Sequence, residues 1–323
     1  MAYELEKQVA IAAVQQAAQL CERVRQTLVP EAIEKNDKSP VTVADFGAQA
    51  LICQALADAF PQDPVVGEED AADLRQPDMA HPLATVTAQV QHHRPAATAE
   101  DVLTWIGHGN GSVASRYWTL DPIDGTKGFL RGDQYAIALA LVEEGDLKVG
   151  VLGCPFLRFG EGDRGLIFVA VRGEGAVMMP LAGGAPQPLR VNQDPASAGF
   201  RFVESVESGH GNQSQQSAMA QAVGIQAASI RMDSQAKYAA VAAGEAALYL
   251  RLPSPKTPNY REKIWDHAAG TLVVQEAGGC VTDMNGKPLD FGKAARFEDN
   301  RGVVVSNGTI HADVLAALAT EQG

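Results

Sequence analysis

The stretch WTLDPIDGTKGFL, residues 118–130, sets Asp121 and Asp124 three residues apart at the end of an apolar run. The apolar run predicts a buried strand. Pro122 fixes the backbone between the two acids, so both carboxylates can face one site while the carbonyl of Ile123 adds a neutral oxygen. The stretch therefore indicates a group of oxygen ligands at the end of a strand.

A turn into a helix is expected directly after the acids, at Gly125 and Thr126. Backbone N–H groups at such a turn favour an anionic oxygen, and the hydroxyl of Thr126 can orient a water molecule. The spacing alone leaves a second interpretation open, in which Asp121 caps a turn and Asp124 caps a helix.

Length and composition bound the class of protein. The 323 residues suffice for two packed lobes or one large α/β domain, and the hydrophobic fraction of 46% is ordinary for a globular protein. A formal net charge of −13 argues against nucleic-acid binding, which needs basic residues. No apolar run approaches the ~20 residues of a membrane span, and the N-terminus lacks the features of a signal peptide. We expect a cytoplasmic monomer with no nucleic-acid or membrane partner.

The cysteines are widely separated and form no CxxC pair; they are Cys21, Cys53, Cys154 and Cys280. This pattern favours buried reduced thiols over a zinc site or a disulfide framework.

The first part of the chain predicts helices and one short strand. Helical spacing covers residues 4–28, and Asp45 can open a second helix that runs to Phe60. Residues 64–70 predict a strand that ends in acid. Residues 71–112 hold several prolines and polar runs and predict little regular structure, either a flap or an inserted segment with about two short helices.

The rest of the chain changes once in its predicted secondary structure, from consecutive strands to strands that alternate with helices. Alternating apolar residues and a Gly145-Asp146 turn predict an antiparallel meander. Small residues and prolines at 182–188 predict a connection, after which strands alternate with helices, as in an α/β lobe. We therefore divide the chain into an N-terminal α+β lobe, residues 1–190, and a C-terminal α/β lobe, residues 191–323.

Acids recur where the predicted elements end; they are Asp45, Glu68, Glu69, Asp121, Asp124 and Asp266. Carboxylates at strand ends can converge on one crevice, but like charges resist ionisation unless a cation lies among them. Mg²⁺ prefers carboxylate, phosphate and water oxygens, and two such ions can hold the attacking and leaving oxygens of a phosphoryl displacement. The pattern predicts a metal cleft for a small phosphorylated molecule.

Three motifs together resemble a known superfamily. GEE at 67–69, DPIDGT at 121–126 and WDHAAG at 265–270 stand in the order found in the lithium-sensitive, magnesium-dependent phosphatases, such as inositol monophosphatases and fructose-1,6-bisphosphatases. The resemblance implies an α/β (α+β) fold, a layered α/β/α/β/α sandwich whose two lobes meet at a metal cleft. It also implies two or three Mg²⁺ ions in that cleft.

Further stretches are similar to the 3′(2′),5′-bisphosphate nucleotidases within that superfamily. They are SPVTVADFGAQ (39–49), ESVESGH (204–210), MDSQAKY (232–238), LYLRLP (248–253) and YREKIWDHAAG (260–270). The similarity implies hydrolysis of the 3′-phosphate of 3′-phosphoadenosine 5′-phosphate (PAP) to AMP and phosphate. It further implies activity on the 5′-phosphosulfate analogue PAPS, a role in sulfur assimilation, and inhibition by Li⁺.

The same similarity implies roles for individual positions. The expected metal ligands are four carboxylates and one carbonyl: Glu68, Asp121, Asp124, Asp266 and Ile123. The expected pair that activates the attacking water is Asp45 and Thr126. The expected nucleotide contacts are Gly125, Thr126, His210, Ser234, Lys237, Arg251 and Asp266. One position departs from the family, which often has a second histidine where Gln213 stands.

Several of these residues also have an ordinary structural interpretation. Asp45 can be a helix N-cap, Lys237 a surface lysine, Arg251 part of a structural ion pair and His210 a loop histidine. We also expect Glu69 to be a solvated acid and not a metal ligand.

Three alternatives at the level of the whole protein stay open. The first is a phosphatase for inositol phosphates or sugar bisphosphates. The second is a non-catalytic sensor that binds PAP, although such a binder would not need a pair of residues that activates water. The third is an interaction scaffold built on residues 71–112.

Overall fold

The computed structural model describes residues 2–27, 33–34, 40–160, 162, 164–207, 213–254 and 257–321. The helices are α1 (Glu4–Thr27), α2 (Val43–Ala59), α3 (Ala71–Leu74), α4 (Ala80–Gln91), α5 (Ala99–Gly107), α6 (Thr126–Arg131), α7 (Gln213–Ala222), α8 (Ala236–Ala242), α9 (Ala268–Glu276) and α10 (His311–Glu321). Single 3₁₀ turns lie at Pro77–Met79 and Ile264–Asp266.

The strands are β1 (Ile33–Glu34), β2 (Pro40–Val41), β3 (Val65–Gly67), β4 (Arg116–Asp124), β5 (Ala136–Glu143), β6 (Asp146–Cys154), β7 (Leu166–Val171), β8 (Gly175–Pro180), β9 (Gln187–Pro188), β10 (Phe202–Glu204), β11 (Ile230–Arg231), β12 (Leu248–Arg251), β13 (Cys280–Thr282) and β14 (Val303–Ser306). Apart from the short β1–β2 pair, they form a seven-stranded and a five-stranded sheet.

Five layers follow one another across the protein. α1 and α2 pack together on one face of the seven-stranded sheet, α8 and α9 lie between the two sheets, and α7 and α10 cover the outer face of the five-stranded sheet. Separate clusters of buried apolar side chains fill the spaces between these layers. This confirms the predicted α/β/α/β/α sandwich, because each sheet buries both of its faces against helices.

The seven-stranded sheet is the meander that the alternating apolar residues predicted. Its strands lie side by side in chain order from β3 to β9, antiparallel except for the parallel pair β3–β4. The turn between β5 and β6 lies at Glu144-Gly145, one residue earlier than expected, because both residues adopt the positive φ that such a tight hairpin needs. β9, within the segment expected to connect the lobes, still pairs with β8.

The five-stranded sheet has the order β11-β10-β12-β14-β13. Its first three strands are parallel, and β14 is antiparallel to both of its neighbours. The chain leaves the first sheet after Pro188 and enters the second at Phe202, so the boundary predicted at residues 190 and 191 falls between the two sheets. Because α9 also packs on β5 and β6 of the first sheet, the division into lobes stays a prediction.

The start of α2 differs from the sequence-based expectation by three residues. Thr42, not Asp45, is the N-cap, and Asp45 is the third helical residue of a capping box with it. The helix ends at Ala59, one residue before the predicted end at Phe60. Within the described ranges, no helix combines the length and the apolar character that crossing a membrane requires.

Residues 71–112 contradict the expectation of little regular structure. They contain α3, α4 and α5, and both longer helices pack on α2. Val86 and Val90 of α4 and Val102 and Ile106 of α5 are fully buried in the core beneath the first sheet. The prolines in this segment lie at helix starts and between helices, where the missing N–H costs little.

The cysteines are packed as the sequence predicted. Cys21, Cys53 and Cys154 are buried and Cys280 is partly buried, and all four are free thiols. Burial raises the pKa of the Cys53 and Cys154 thiols above the usual range, which makes them poor nucleophiles.

Candidate active site

A β-bulge brings the two acids of the DPID stretch onto one side of the sheet. Asp121 pairs with Ala138 of β5 and Asp124 pairs with Ala136, so two residues of β4 stand opposite one residue of β5. In a regular strand, residues three apart point to opposite faces. The extra residue of the bulge cancels that difference, and Pro122 is tolerated there because a bulge leaves one N–H unpaired.

A cleft of about 380 Å³ lies beside this bulge. All five positions expected to bind metal line it: Glu68, Asp121, Ile123, Asp124 and Asp266. Six of the seven expected nucleotide contacts line it, namely Asp266 again together with Gly125, Thr126, Ser234, Lys237 and Arg251. His210 lies outside the described residues. The structure therefore brings together side chains from both halves of the chain, as the strand-end acids predicted.

The acids in the cleft resist ionisation. Burial raises the pKa of Asp121 well above its usual range, and the negative charges of Glu68 and Asp124 raise it further. The pKa of Asp266 is also raised well above normal, by burial and then by Asp124 and Glu68. Oxygen donors that are crowded and buried in this way suit a hard divalent cation, which would compensate their charge.

Asp121 and Asp124 also make the structural contacts that the alternative interpretation suggested. Asp121 Oδ1 accepts the backbone N–H of Ile123 at 3.1 Å, which closes a turn. Asp124 Oδ2 accepts the backbone N–H of Gln235 at 2.6 Å, directly before α8. Asp124 therefore ties the bulge to the second half of the chain, and its pKa, raised by burial, is pulled back by the ammonium of Lys237.

Thr126 lies next to Asp45 at the edge of the cleft. Gly125 has a φ of 87°, in the left-handed region that favours glycine, and it turns β4 into α6. This turn directs the Thr126 hydroxyl to within 3.3 Å of Asp45 Oδ1 and 3.2 Å of the Ile123 carbonyl. The expected water-activating pair is thus in hydrogen-bonding contact.

Lys237 is a buried cation, so its interpretation as a surface lysine is wrong. The residue is only 3% exposed, and its ammonium lies 5.2 Å from the centre of the Tyr249 ring and donates to the Met232 carbonyl at 3.4 Å. Burial lowers the pKa of Lys237 to about 8, although Asp124 opposes the shift. A buried ammonium beside an open cleft is suited to meet an anion.

Arg251 forms an ion pair and lines the cleft at the same time. Its Nε donates to Glu262 Oε1 at 3.1 Å. The other carboxylate oxygen of Glu262 lies 3.5 Å from His267 Nε2, and His267 Nδ1 shares a hydrogen bond of 2.6 Å with Tyr238. Donor atoms of Glu262, Asp266 and His267 lie within 4.8 Å of one another. Glu262 was not among the expected site residues, although it stands in the YREKIWDHAAG motif.

Two more contacts join the two halves of the chain near the cleft. Arg131, at the end of α6, donates to Glu207 at 2.6 Å and to Asp233. Ser234, the next residue, has a φ of 64° and accepts the Ala236 N–H, which starts α8. Arg131 has no sequence signal that would separate it from an ordinary surface charge. Glu207 stands in the ESVESGH motif, but only the fold shows that it contacts Arg131.

Comparisons with known proteins agree with the geometry. The model of the inositol monophosphatase family matches residues 3–322. A 3′(2′),5′-bisphosphate nucleotidase of Schizosaccharomyces pombe is 43% identical, over 99% of this chain and 96% of that protein. Another from Emericella nidulans is 42% identical, over 98% of each.

Solved structures share the fold at lower identity. An IMPase from Thermotoga maritima superposes with a TM-score of 0.66 at 23% identity, covering 97% of this chain and 98% of that chain. An inositol monophosphatase from Anabaena gives a TM-score of 0.63 at 19% identity, over 99% and 97% of the two chains.

Proposed function

The chain belongs to the inositol monophosphatase family, and from this premise we propose that it is a Mg²⁺-dependent 3′(2′),5′-bisphosphate nucleotidase. Its reaction would be hydrolysis of the 3′-phosphate of PAP, with AMP and phosphate as products. One observation carries the proposal: a single cleft is lined by carboxylates, which we take as its acidic end, and by the cations Lys237 and Arg251, which we take as its cationic end. Such a cleft matches a molecule with two separated anionic groups.

The acidic end is proposed to hold two or three Mg²⁺ ions. The ligands would be Glu68, Asp121, Asp124 and Asp266, with the carbonyl of Ile123. These donors fit the group, because they are hard oxygen atoms, and burial followed by mutual repulsion raises the pKa of three of the carboxyls. When bound, the metal neutralises phosphate oxygens and lowers the pKa of a water molecule.

Asp45 and Thr126 are proposed to orient the attacking water. The Thr126 hydroxyl gives its only proton to Asp45 Oδ1 or to the Ile123 carbonyl, so its oxygen is left to accept a hydrogen bond. A water that donates to this oxygen would have one proton fixed and its lone pairs directed away from Thr126. Asp45, which is 1% exposed, cannot rotate toward solvent to relax this arrangement.

The cationic end is proposed to hold the 5′-phosphate, which does not react. Arg251 offers a planar fork of donors and Lys237 a compact charge, and the grip would keep the 3′-phosphate over the acidic end. Gly125, Ser234 and His210 are proposed as further nucleotide contacts. PAPS carries a 5′-phosphosulfate in the same place and is proposed as a second substrate.

The inositol phosphate alternative is disfavoured by Lys237. Arg251 is already paired with Glu262, but a monophosphate bound at the acids would bring no second anion to the buried ammonium of Lys237, and a site built to pair a group rejects ligands that lack it. A role in sulfur assimilation and inhibition by Li⁺ are part of the proposal and follow the family resemblance, and the expectation of a cytoplasmic monomer stays a prediction from the sequence.

Phosphate release from PAP, 3′-AMP and inositol 1-phosphate, measured side by side with Mg²⁺, tests the assignment. We expect kcat/KM to be highest for PAP and to fall when the 5′-phosphate is absent. Faster hydrolysis of inositol 1-phosphate would overturn the nucleotidase proposal. Tight PAP binding without phosphate release would instead support the sensor.

A further inference from the structure

Gln49 is a buried amide that is fully occupied by backbone groups next to the acidic end of the cleft. Its Oε1 accepts the N–H of Glu69 at 3.0 Å, and its Nε2 donates to the carbonyls of Glu69 at 2.5 Å and Ile106 at 3.1 Å. The side chain therefore pairs with Glu69 as a neighbouring strand would. Glu69 itself is 2% exposed, so the expectation of a solvated acid is wrong.

Glycines on both sides make room for this amide. A Cβ on Gly67 would lie 2.8 Å from Gln49 Oε1, and a Cβ on Gly109 would lie 2.4 Å from Gln49 Nε2. Both distances are too short for a real carbon atom, so any other residue would displace the amide. Gly67 and Gly109 also bond directly, from N–H to carbonyl at 2.7 Å. The end of β3 is thus held between α2 and the loop after α5.

The held segment carries Glu68, and α2 also carries Asp45. Asp45 and Gln49 are four residues apart on one helix, so they lie on the same face one turn apart. One rigid helix therefore fixes Asp45 directly and fixes the backbone of the next acidic segment through Gln49. The helices of residues 71–107 join this arrangement through the Ile106 carbonyl.

We infer that Gln49 is a positioning residue for Glu68 and that it sets the affinity of the acidic end for Mg²⁺. This inference rests on the proposed function, in which Glu68 is a metal ligand. Mg²⁺ demands near-ideal octahedral geometry, so a carboxylate whose backbone can shift binds it more weakly. Groups that orient metal ligands typically contribute about 10- to 100-fold to metal affinity.

Calorimetric titration of Mg²⁺ into the folded protein tests this, with Gln49→Met as the first variant. Methionine keeps the size and removes the three hydrogen bonds, and we expect the Kd for Mg²⁺ to rise about 10-fold or more. Gly109→Ala is the second variant, because Gly109 has no positive φ and its added Cβ crowds the amide while every residue of α2 keeps its identity. We expect its Kd to rise in the same direction.

Ile52→Ala is the matched control. Ile52 is fully buried on the same helix, so its truncation lowers the thermal midpoint through a cavity while leaving the Glu69 hydrogen bonds in place. We expect its Kd for Mg²⁺ to equal that of the wild type. The concentration of Mg²⁺ at half-maximal activity provides a second readout and is expected to follow the Kd.

The inference is overturned if Gly109→Ala has the Kd for Mg²⁺ of the wild type while its thermal midpoint falls as that of Ile52→Ala does. The same result for a folded Gln49→Met variant would also overturn it. A wild type that binds no Mg²⁺ would overturn the proposed function, and this inference with it, before any variant is compared. The two failures are therefore told apart by the wild-type titration alone.

Discussion

Thr126 donates a hydrogen bond of 3.3 Å to Asp45, from which it is 81 residues distant in the chain. The other carboxylate oxygen of Asp45 is occupied by the first turn of α2, where it accepts the N–H of Thr42 at 2.8 Å and its hydroxyl at 2.6 Å. The carboxylate is therefore fixed on both sides. A helix cap thereby becomes part of the site, and the Thr126 oxygen is held where a water can donate to it.

Replacing Thr126 by valine should remove catalysis without removing the fold. Valine has the same shape but no hydroxyl, so we expect kcat for PAP to fall by about 10²–10⁴-fold, the range for a positioned proton relay. KM should change little, because Thr126 carries no charge that binds the substrate. Thr126→Ser retains the hydroxyl and should keep most of the activity; a valine variant with near-normal kcat would exclude Thr126 from the relay.

Mg²⁺ should stabilise the protein, and the effect should weaken as the pH falls. The pKa values of Asp121 and Asp266 are well above normal because of burial and mutual repulsion, so protons compete with the metal as the pH is lowered. A ligand that binds only the folded state adds RT ln(1 + [L]/Kd) of stability. We expect millimolar Mg²⁺ to raise the thermal midpoint by several degrees at pH 7.5, and by clearly less at pH 5.

The matched comparison is the same titration on Asp121→Asn. Asparagine removes one charge from the crowded group, so the variant without metal should be at least as stable as the wild type, while the gain from Mg²⁺ should shrink. A midpoint gain that is equal in both proteins, or equal at pH 5 and pH 7.5, would contradict the placement of the metal among these acids.

The lowered pKa of Lys237 predicts that the enzyme binds its substrate more weakly above about pH 8. Its pKa is lowered to about 8 by burial, so in the free enzyme the ammonium loses its proton as the pH rises through that value. Only the charged form attracts the 5′-phosphate. We therefore expect kcat/KM for PAP, which reports groups of the free enzyme, to decline above about pH 8. For 3′-AMP, which lacks the 5′-phosphate, the decline should be absent.

Lys237→Arg is the control for this profile, because a guanidinium stays charged throughout the accessible pH range. The variant should lose the decline near pH 8 even if its overall activity is lower. A decline that persists in the arginine variant would assign the titration to another group.

The sequence could predict the layers and the acids because both depend on local patterns. The alternation in β5 and β6 and the helical spacing of α1 are visible in any single segment, and the family motifs mark Glu68, Asp121 and Asp266. The bulge at Pro122 could not be predicted, because it depends on which residues of β5 stand opposite β4. The reason for the DPID spacing therefore became visible only in the sheet register.

The helices within residues 71–112 could not be predicted from local sequence patterns. Prolines and polar runs concealed helices that pack on α2 and that bury a few apolar side chains in the core, such as Val90 and Ile106. Propensity is a weak prior where tertiary packing decides. In the same way, helical spacing alone could not exclude a surface position for Lys237. The family motif marked it as a nucleotide contact, but its enclosure by Tyr249 and the cleft depends on tertiary packing.

Glu262 should be a main source of stability at neutral pH. Burial alone would raise the pKa of its carboxyl, but Arg251 and His267 hold it down, at about 2, against an ordinary value of about 4.3. A depressed carboxyl pKa stabilises the fold above the unfolded value and loses that contribution as the pH falls through the folded one. The difference corresponds to about 3 kcal/mol.

We therefore expect Glu262→Gln to lower the free energy of unfolding in urea by about 3 kcal/mol at pH 7, with a smaller gap to the wild type at pH 3. Glu298→Gln, which removes an exposed partner of Lys293, should cost less than about 1 kcal/mol at either pH. If both variants lose the same free energy of unfolding, the buried ion pair of Glu262 with Arg251 stabilises the fold no more than an exposed pair does.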